Sequence, residues 1–158
     1  MNSKILNYLR ETYFPIEPQQ KNIALRRFMI SDTQLLYQWR NHLSVREQSL
    51  DNKIIAFPEH QLWCEKKVND ANCVFLMASH AGQLIGTVRY DVDNTKAMVN
   101  IYLAPQAQGK GYGKQILLES IRYMQTLNNT DKLLAQIKET NLASVKMFES
   151  CGFIKQTN

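Results

Sequence analysis

Gln108-Gly109-Lys110-Gly111-Tyr112-Gly113 gathers three of the chain's six glycines into five residues. Upstream, Val99–Leu103 reads as a strand, followed by Pro105. Downstream, Ile116, Leu117, Ser120, Ile121, Met124 and Leu127 fall on one face at helical spacing, so a helix opens near Gly111–Gly113. Glycine lets the backbone come close to a ligand and turn successive N–H groups the same way. The helix N-terminus adds about half a positive charge, and Lys110 and Lys114 add whole ones. Strand, glycine loop and helix together predict a main-chain cradle for a pyrophosphate. Two better-known phosphate loops do not fit. A Walker loop needs Lys and then Ser or Thr after its last glycine, whereas Gly113-Lys114 is followed by Gln115. A dinucleotide fingerprint needs G-x-G-x-x-G, and the third glycine here comes one residue early.

Outward from that loop the chain alternates strands and helices. Ile23–Phe28 reads as a first strand, and Ser31 or Asp32 caps a helix through Leu35, Leu36, Trp39 and Arg40 that ends near His42. A polar loop over Leu43–Ala56 leads to Pro58, placed for the first turn of a second helix that runs to Val68. Cys73–Ser79 and Leu84–Tyr90 read as strands joined by a hairpin turn at His80-Ala81-Gly82-Gln83, and Asp91–Asn94 as a turn into Ala97–Leu103. After the central helix come a strand over Leu133–Ile137, a helix over Ala143–Ser150, and a turn at Cys151-Gly152 into a last strand. This order predicts an α/β (α+β) fold with a mixed, mostly antiparallel sheet flanked by helices. Residues 1–22 read as an N-terminal arm. A short amphipathic stretch, Ser3–Thr12, precedes Phe14-Pro15-Ile16-Glu17-Pro18, whose prolines block a continuing helix. Residues 23–158 then form one domain.

A chain of 158 residues suits a single domain with its own core. Its 44% hydrophobic and 21% charged content excludes disorder, and four prolines with six glycines exclude a collagen-like chain. Nineteen Lys and Arg against fourteen Asp and Glu leave +5, a balance compatible with a polyanionic ligand. The basic residues do not interleave with aromatics along a stripe, which argues against nucleic acid as a partner. No apolar run reaches the ~18 residues of a membrane helix, and the N-terminus does not read as a signal peptide. Cys64, Cys73 and Cys151 lack metal-ligand spacing relative to His42, His60 and His80. Idle thiols in a reducing cytoplasm and no metal are the expectation.

Gln108-x-x-Gly111-x-Gly113 resembles the Arg/Gln-x-x-Gly-x-Gly/Ala signature of the GCN5-related N-acetyltransferase (GNAT) superfamily, and Ile101–Pro105 resembles the strand that precedes it. Asn141-Leu142-Ala143-Ser144-Val145-Lys146-Met147-Phe148, followed by Cys151-Gly152-Phe153, is similar to the family's second signature. The resemblance covers residues 23–158 and implies a transferase with acetyl-CoA as co-substrate. It implies that the backbone of Ile101 and Leu103 pairs with the pantetheine arm. The amides of Gln108, Gly109, Lys110, Gly111, Tyr112, Gly113 and Lys114 would hold the pyrophosphate, while Asn141, Ser144 and Phe148 line the thioester end. A neutral amine would attack the thioester, the Leu103 N–H would stabilise the oxyanion, and a base would take the amine's proton. Many relatives carry a tyrosine where this chain has Phe148. Without that phenol, the thiolate leaves unassisted, or water or another hydroxyl serves, or the chain is a weak catalyst.

Trp39-Arg40-Asn41, Glu59-His60-x-x-Trp63 and Gly86–Asp91 resemble a subgroup that acetylates 4-amino-4,6-dideoxy nucleotide sugars in pseudaminic-acid-type synthesis. On that resemblance the acceptor is a small-molecule amine. Arg40 and Arg89 meet the acceptor, Arg40 at its diphosphate, and His60 is the base or a sugar contact. Two other functions fit the same family: acetylation of a protein N-terminus, as in its ribosomal-protein branch, or binding of CoA with little catalysis. A monomer or homodimer is expected.

Overall fold

The computed structural model describes residues 4–11, 22–127 and 129–157. Seven strands form one sheet in the order β2-β3-β4-β5-β6-β1-β7. In chain order they are β1 (Ile5–Glu11), β2 (Ile23–Arg27), β3 (Cys73–His80), β4 (Gln83–Asp93), β5 (Lys96–Leu103), β6 (Lys132–Lys138) and β7 (Ile154–Lys155). The helices are α1 (Thr33–Asn41), α2 (Leu43–Arg46), α3 (Phe57–Val68), α4 (Tyr112–Leu127) and α5 (Leu142–Ser150). Every strand pair is antiparallel except β5 with β6, so the mixed, mostly antiparallel sheet with flanking helices is what the sequence predicts.

The local signals act where expected. Pro58 lies in the first turn of α3. Between β3 and β4, Ala81 and Gly82 both take positive φ, 50° and 79°, as the tight hairpin turn demands. Asp32 accepts two bonds from Arg26, at 2.7 and 2.8 Å, and one from the Met29 N–H at 2.9 Å. It thereby closes the short 3-10 turn, Ile30–Asp32, that opens into α1. Burial opposes its ionisation, but Arg26 and the Met29 amide outweigh that and hold the carboxyl below its ordinary pKa.

One face of the sheet packs on α4 and α5, the other on α1 and α3. On the α4 face, Ile116, Leu117, Ile121 and Met124 are fully buried. Ser120, inside that apolar stripe, bonds the Tyr90 hydroxyl at 2.6 Å and the Leu117 carbonyl at 2.8 Å. The helix therefore buries a hydroxyl without leaving it unpaired. On the other face Trp63 meets Phe75 edge-on at 5.7 Å, and Phe28 stacks on Phe75 at 4.3 Å.

Three sequence expectations shift. Residues 5–11, read as an amphipathic stretch of an arm outside the domain, form β1 in the interior of the sheet, paired to β6 along its whole length. The proline-bearing connector lies outside the described residues. The turn expected at Asp91–Asn94 is displaced, because β4 stays paired to β5 as far as Asp93↔Lys96, with Asp91 held by Lys67 and Arg89 at 2.7 and 3.0 Å within the strand. It forms instead around Asn94, which takes φ 56°. The loop over Leu43–Ala56 contains α2, capped by the His42 ring, whose Nδ1 accepts from the Ser44 N–H at 3.3 Å.

Candidate active site

β5 and β6 run in parallel register from Lys96↔Lys132 to Val99↔Ala135 and pair no further, although β5 continues to Leu103 and β6 to Lys138. The two strands diverge there and open a wedge in the sheet. An extended ligand can add itself to a strand left without its neighbour, using main-chain bonds. The wedge leads into a cavity of about 780 Å³, ample for a cofactor arm and an acceptor together.

Past Leu103 the chain makes a short 3-10 turn, Pro105–Ala107, and then the glycine loop. Gly109 and Gly111 take φ 73° and 78°, the left-handed region that glycine occupies at no steric cost. A Cβ on Gly109 would meet nothing within 4 Å, so the backbone there faces open space. Gly113 is different. A Cβ there would lie 2.7 Å from the Met147 sulfur, so this glycine lets α4 and α5 approach each other. The loop and the first turn of α4 fit a polyanionic group, with Gly109 facing open space and a helix N-terminus behind it.

The expected cofactor residues divide. Ile101, Leu103, Gln108, Gly109, Asn141 and Phe148 line the cavity, whereas Lys110, Gly111, Tyr112, Gly113, Lys114 and Ser144 do not form part of its wall. Asn141 caps α5, its Oδ1 accepting from the Ser144 N–H at 3.2 Å. The Asn-x-x-Ser spacing is thus a helix cap as well as part of a cavity wall. Phe148 is buried and meets Phe153 edge-on at 4.9 Å, which makes it a packing residue at the cavity's inner end.

On the α1–α3 side, Arg40, His60, Trp63 and Arg89 all reach the same cavity. Arg40 donates from Nη2 to the Asp51 carbonyl at 2.7 Å. Its Nη1 is buried and has no hydrogen-bond partner among the described residues. Arg89 bonds Asp91 through Nε at 3.0 Å and lies 4.9 Å over the Trp63 ring. His60 is only 2% exposed and stacks on Trp63 at 5.9 Å, with Nε2 3.4 Å from the Cys64 sulfur. Burial and, less strongly, the charge of Arg40 lower its pKa against a hydrogen bond to the Thr33 backbone. It is therefore a neutral imidazole at pH 7. Burial pushes the Cys64 thiol up to about 11, so this cysteine is inert beside it. Among the described residues no cluster of His, Cys, Asp and Glu is arranged to hold a metal.

Sequence reasoning missed two contributors. Tyr102 lines the cavity between Arg40 and Arg89, whose charges favour its ionised form while burial raises its pKa more strongly. The signal was available: Tyr102 alternates with Ile101 and Leu103 in a strand already assigned to the site, and so faces the acceptor side. The second is the segment after α1. Asn41 pins it with two bonds to Ile55, at 2.8 and 2.9 Å, and Arg46 reaches back to the Asn41 carbonyl at 2.9 Å. Nothing in a polar loop sequence announces that fold-back.

The sequence of residues 33–153 matches the model of the acetyltransferase (GNAT) family. The chain belongs to that family. It is an N-acetyltransferase, and acetyl-CoA is its co-substrate. Spermidine N(1)-acetyltransferase of Vibrio cholerae is 24% identical over 138 residues, covering 85% of this chain and 80% of the relative. Acetyltransferase PseH of Campylobacter jejuni is 26% identical over 135 residues, covering 83% and 84%. The fold is shared with a crystal structure of the Vibrio cholerae spermidine N-acetyltransferase in complex with CoA and spermine, at a TM-score of 0.79 and 22% identity over 85% of this chain and 82% of that one. A domain from Methanocaldococcus jannaschii superposes at 0.75 with 21% identity, over 88% and 92%. Among the described residues no helix is long and apolar enough to cross a membrane.

Proposed function

We propose that this GNAT enzyme acetylates the primary amine of a 4-amino-4,6-dideoxy nucleotide-linked sugar in the cytoplasm. The observation that carries the reading is the buried, unpartnered Nη1 of Arg40 at the cavity wall. A buried guanidinium N–H without an acceptor is costly, and a diphosphate oxygen is the partner it suits best. Arg89 and Tyr102 line the same cavity, which adds a second cation at the acceptor end. The resemblance of the Trp39-Arg40-Asn41 and Glu59-His60 segments to amino-sugar nucleotide acetyltransferases points the same way.

In this reading acetyl-CoA enters the wedge, its pantetheine along the backbone of Ile101 and Leu103. Its pyrophosphate lies on the amides of Gln108–Lys114, and its thioester near Asn141, Ser144 and Phe148. His60, neutral at pH 7, accepts the amine's proton directly or through a water, and the Leu103 N–H holds the oxyanion. The departing thiol has a pKa near 8.5, so it leaves without a phenol at the position of Phe148.

A second acceptor has an observation of its own. Glu47 and Glu59, both exposed, reach the cavity, and one relative is a spermidine acetyltransferase. Carboxylates at the mouth suit a polyamine, although the buried Arg40 repels one. Incubation with acetyl-CoA and, separately, UDP- and dTDP-linked 4-amino sugars, spermidine and a peptide with a free N-terminus decides between them by mass spectrometry. Gain of one acetyl group on the nucleotide sugars alone is expected. Acetylation of spermidine or peptide with the sugars untouched overturns the acceptor assignment and leaves the acetyltransferase in place.

A further inference from the structure

Arg89 lines the cavity, but the contacts that fix it begin outside. Neither Lys67 nor Asp91 forms part of the cavity wall. Lys67, in the last turn of α3, donates to Asp91 Oδ1 at 2.7 Å, and Arg89 donates from Nε to Asp91 Oδ2 at 3.0 Å. Both carboxylate oxygens are therefore engaged. Arg89 and Asp91 stand two residues apart in β4 and so share one face of the sheet. Burial raises the Asp91 pKa, but Lys67 and Arg89 outweigh it and hold the carboxyl below its ordinary value. Asp91 is thus ionised at pH 7.

The Arg89 guanidinium is held twice. Asp91 fixes its Nε, and its Cζ lies 4.9 Å over the Trp63 ring. Trp63 is itself wedged, edge-on to Phe75 at 5.7 Å and stacked on His60 at 5.9 Å. Among the described residues neither Nη of Arg89 has a hydrogen-bond partner. That remaining edge carries two parallel N–H groups, a fork that matches a carboxylate or a phosphate. Charge matters as well as aim. Asp91 alone would cancel much of the field of Arg89, and Lys67 offsets it, so the three side chains together remain cationic.

We infer that Asp91 is a positioning residue: anchored by Lys67, it holds Arg89 with its free edge toward the cavity as a preset anion contact. A long arginine loses rotamer entropy when a ligand immobilises it. One already clamped between a carboxylate and an indole loses less, and binds more tightly for that reason. Arg40 is arranged alike, with Nη2 on the Asp51 carbonyl and Nη1 without a partner among the described residues. The inference rests on the acceptor end being an anion site, and not on which molecule carries the anion.

The test is calorimetric titration of inorganic pyrophosphate into the full chain saturated with CoA, which keeps the probe off the glycine loop. Wild type should bind the probe, and Arg89→Ala should weaken binding by about tenfold or more. Asp91→Ala should weaken it by about three- to tenfold, although it removes a negative charge. Coulomb attraction alone gives that substitution the opposite sign. In the Arg89→Ala background, Asp91→Ala should weaken nothing further, because it acts through Arg89. Unchanged or tighter binding in Asp91→Ala overturns the inference. So does equal weakening with and without Arg89, or a wild-type chain that takes up no pyrophosphate. The Asp91 side chain is 34% exposed, so its loss should leave a folded chain; if Asp91→Ala does not fold, Asp91→Ser reads the same outcomes. The expected pattern in a chain that acetylates no nucleotide sugar keeps this inference and removes the acceptor assignment. Acetylated nucleotide sugars without the pattern do the reverse.

Discussion

At the β5–α4 end of the cavity the groups offered to a ligand are mostly backbone, whereas at the α1–α3 end they are side chains. The first set, Ile101, Leu103, Gln108 and Gly109, falls within one run of nine residues and owes its form to the left-handed Gly109 and Gly111 and to the break in β5–β6 pairing. The second set is Arg40, His60, Trp63, Arg89 and Tyr102, drawn from α1, α3, β4 and β5. A backbone cradle tolerates most substitutions that leave its glycines alone. A wall of side chains changes specificity with each substitution, which is how one fold serves one donor and many acceptors.

The largest effect should come from breaking the backbone end. Gly111→Asp places a side chain at φ 78° and a negative charge on the cradle. The left-handed strain alone is worth ~1–2 kcal/mol, and lost charge-assisted bonds add to it. Calorimetric affinity for acetyl-CoA should fall by about 100-fold or more in a chain that still folds. Unaltered affinity would remove the glycine loop from the site.

Next is the side-chain end. Arg40→Ala should raise KM for the nucleotide sugar by about tenfold to a hundredfold, the loss of a charged hydrogen bond worth roughly 1.5–3 kcal/mol. Affinity for acetyl-CoA should not move. Arg40→Lys should recover only part of the loss, because a point charge cannot hold Asp51 and a diphosphate at once. A parallel loss of acetyl-CoA binding would show that the two ends are not separable.

His60→Gln should lower kcat by tenfold or more, in the range of a general base, and flatten the acid limb of the pH–rate profile. The sign follows from burial. The folded pKa lies below the ordinary 6.5, so the imidazole is neutral above that value and activity falls as pH drops through the folded pKa. Stability contributed by the neutral buried ring is likewise full above the unfolded pKa and lost on the same descent. An unchanged profile would leave His60 as a core residue satisfied by Thr33 and Trp63.

Smallest is Phe148→Tyr. The ring is buried against Phe153, and its new hydroxyl would stand at the inner end of the cavity. Acetyl transfer should stay level or rise a few-fold, with thermal stability changed little. A steep loss of kcat would mean that the position shapes the thioester pocket through its apolar ring.

β1 escaped the sequence reading because its alternation is inverted in polarity. Leu6, Tyr8 and Arg10 face α5, so an arginine points inward, while Ile5 and Leu9 point to the opposite face. Ile5, Leu6 and Leu9 taken together look helical, and only the α5 C-terminus explains a buried Arg10. By contrast α4 and the hairpin at Ala81-Gly82 were legible, since spacing and glycine chemistry act within a few residues. Gly113 was assigned to the cradle from spacing alone, and its contact with Met147, 34 residues on, was invisible there.

Periodicity and glycine placement are local, and they determined the strand–loop–helix unit and most of the order of elements, while the resemblance of Gln108-x-x-Gly111-x-Gly113 and of Asn141–Phe153 to two signatures pointed to the family. The tertiary structure decided what depends on distant residues meeting: where β5 and β6 part, that Arg40 is left with an unpaired donor beside Tyr102, and that the first strand enters the far side of the sheet. Such meetings are set by packing over the whole core, which couples residues that no sequence window contains.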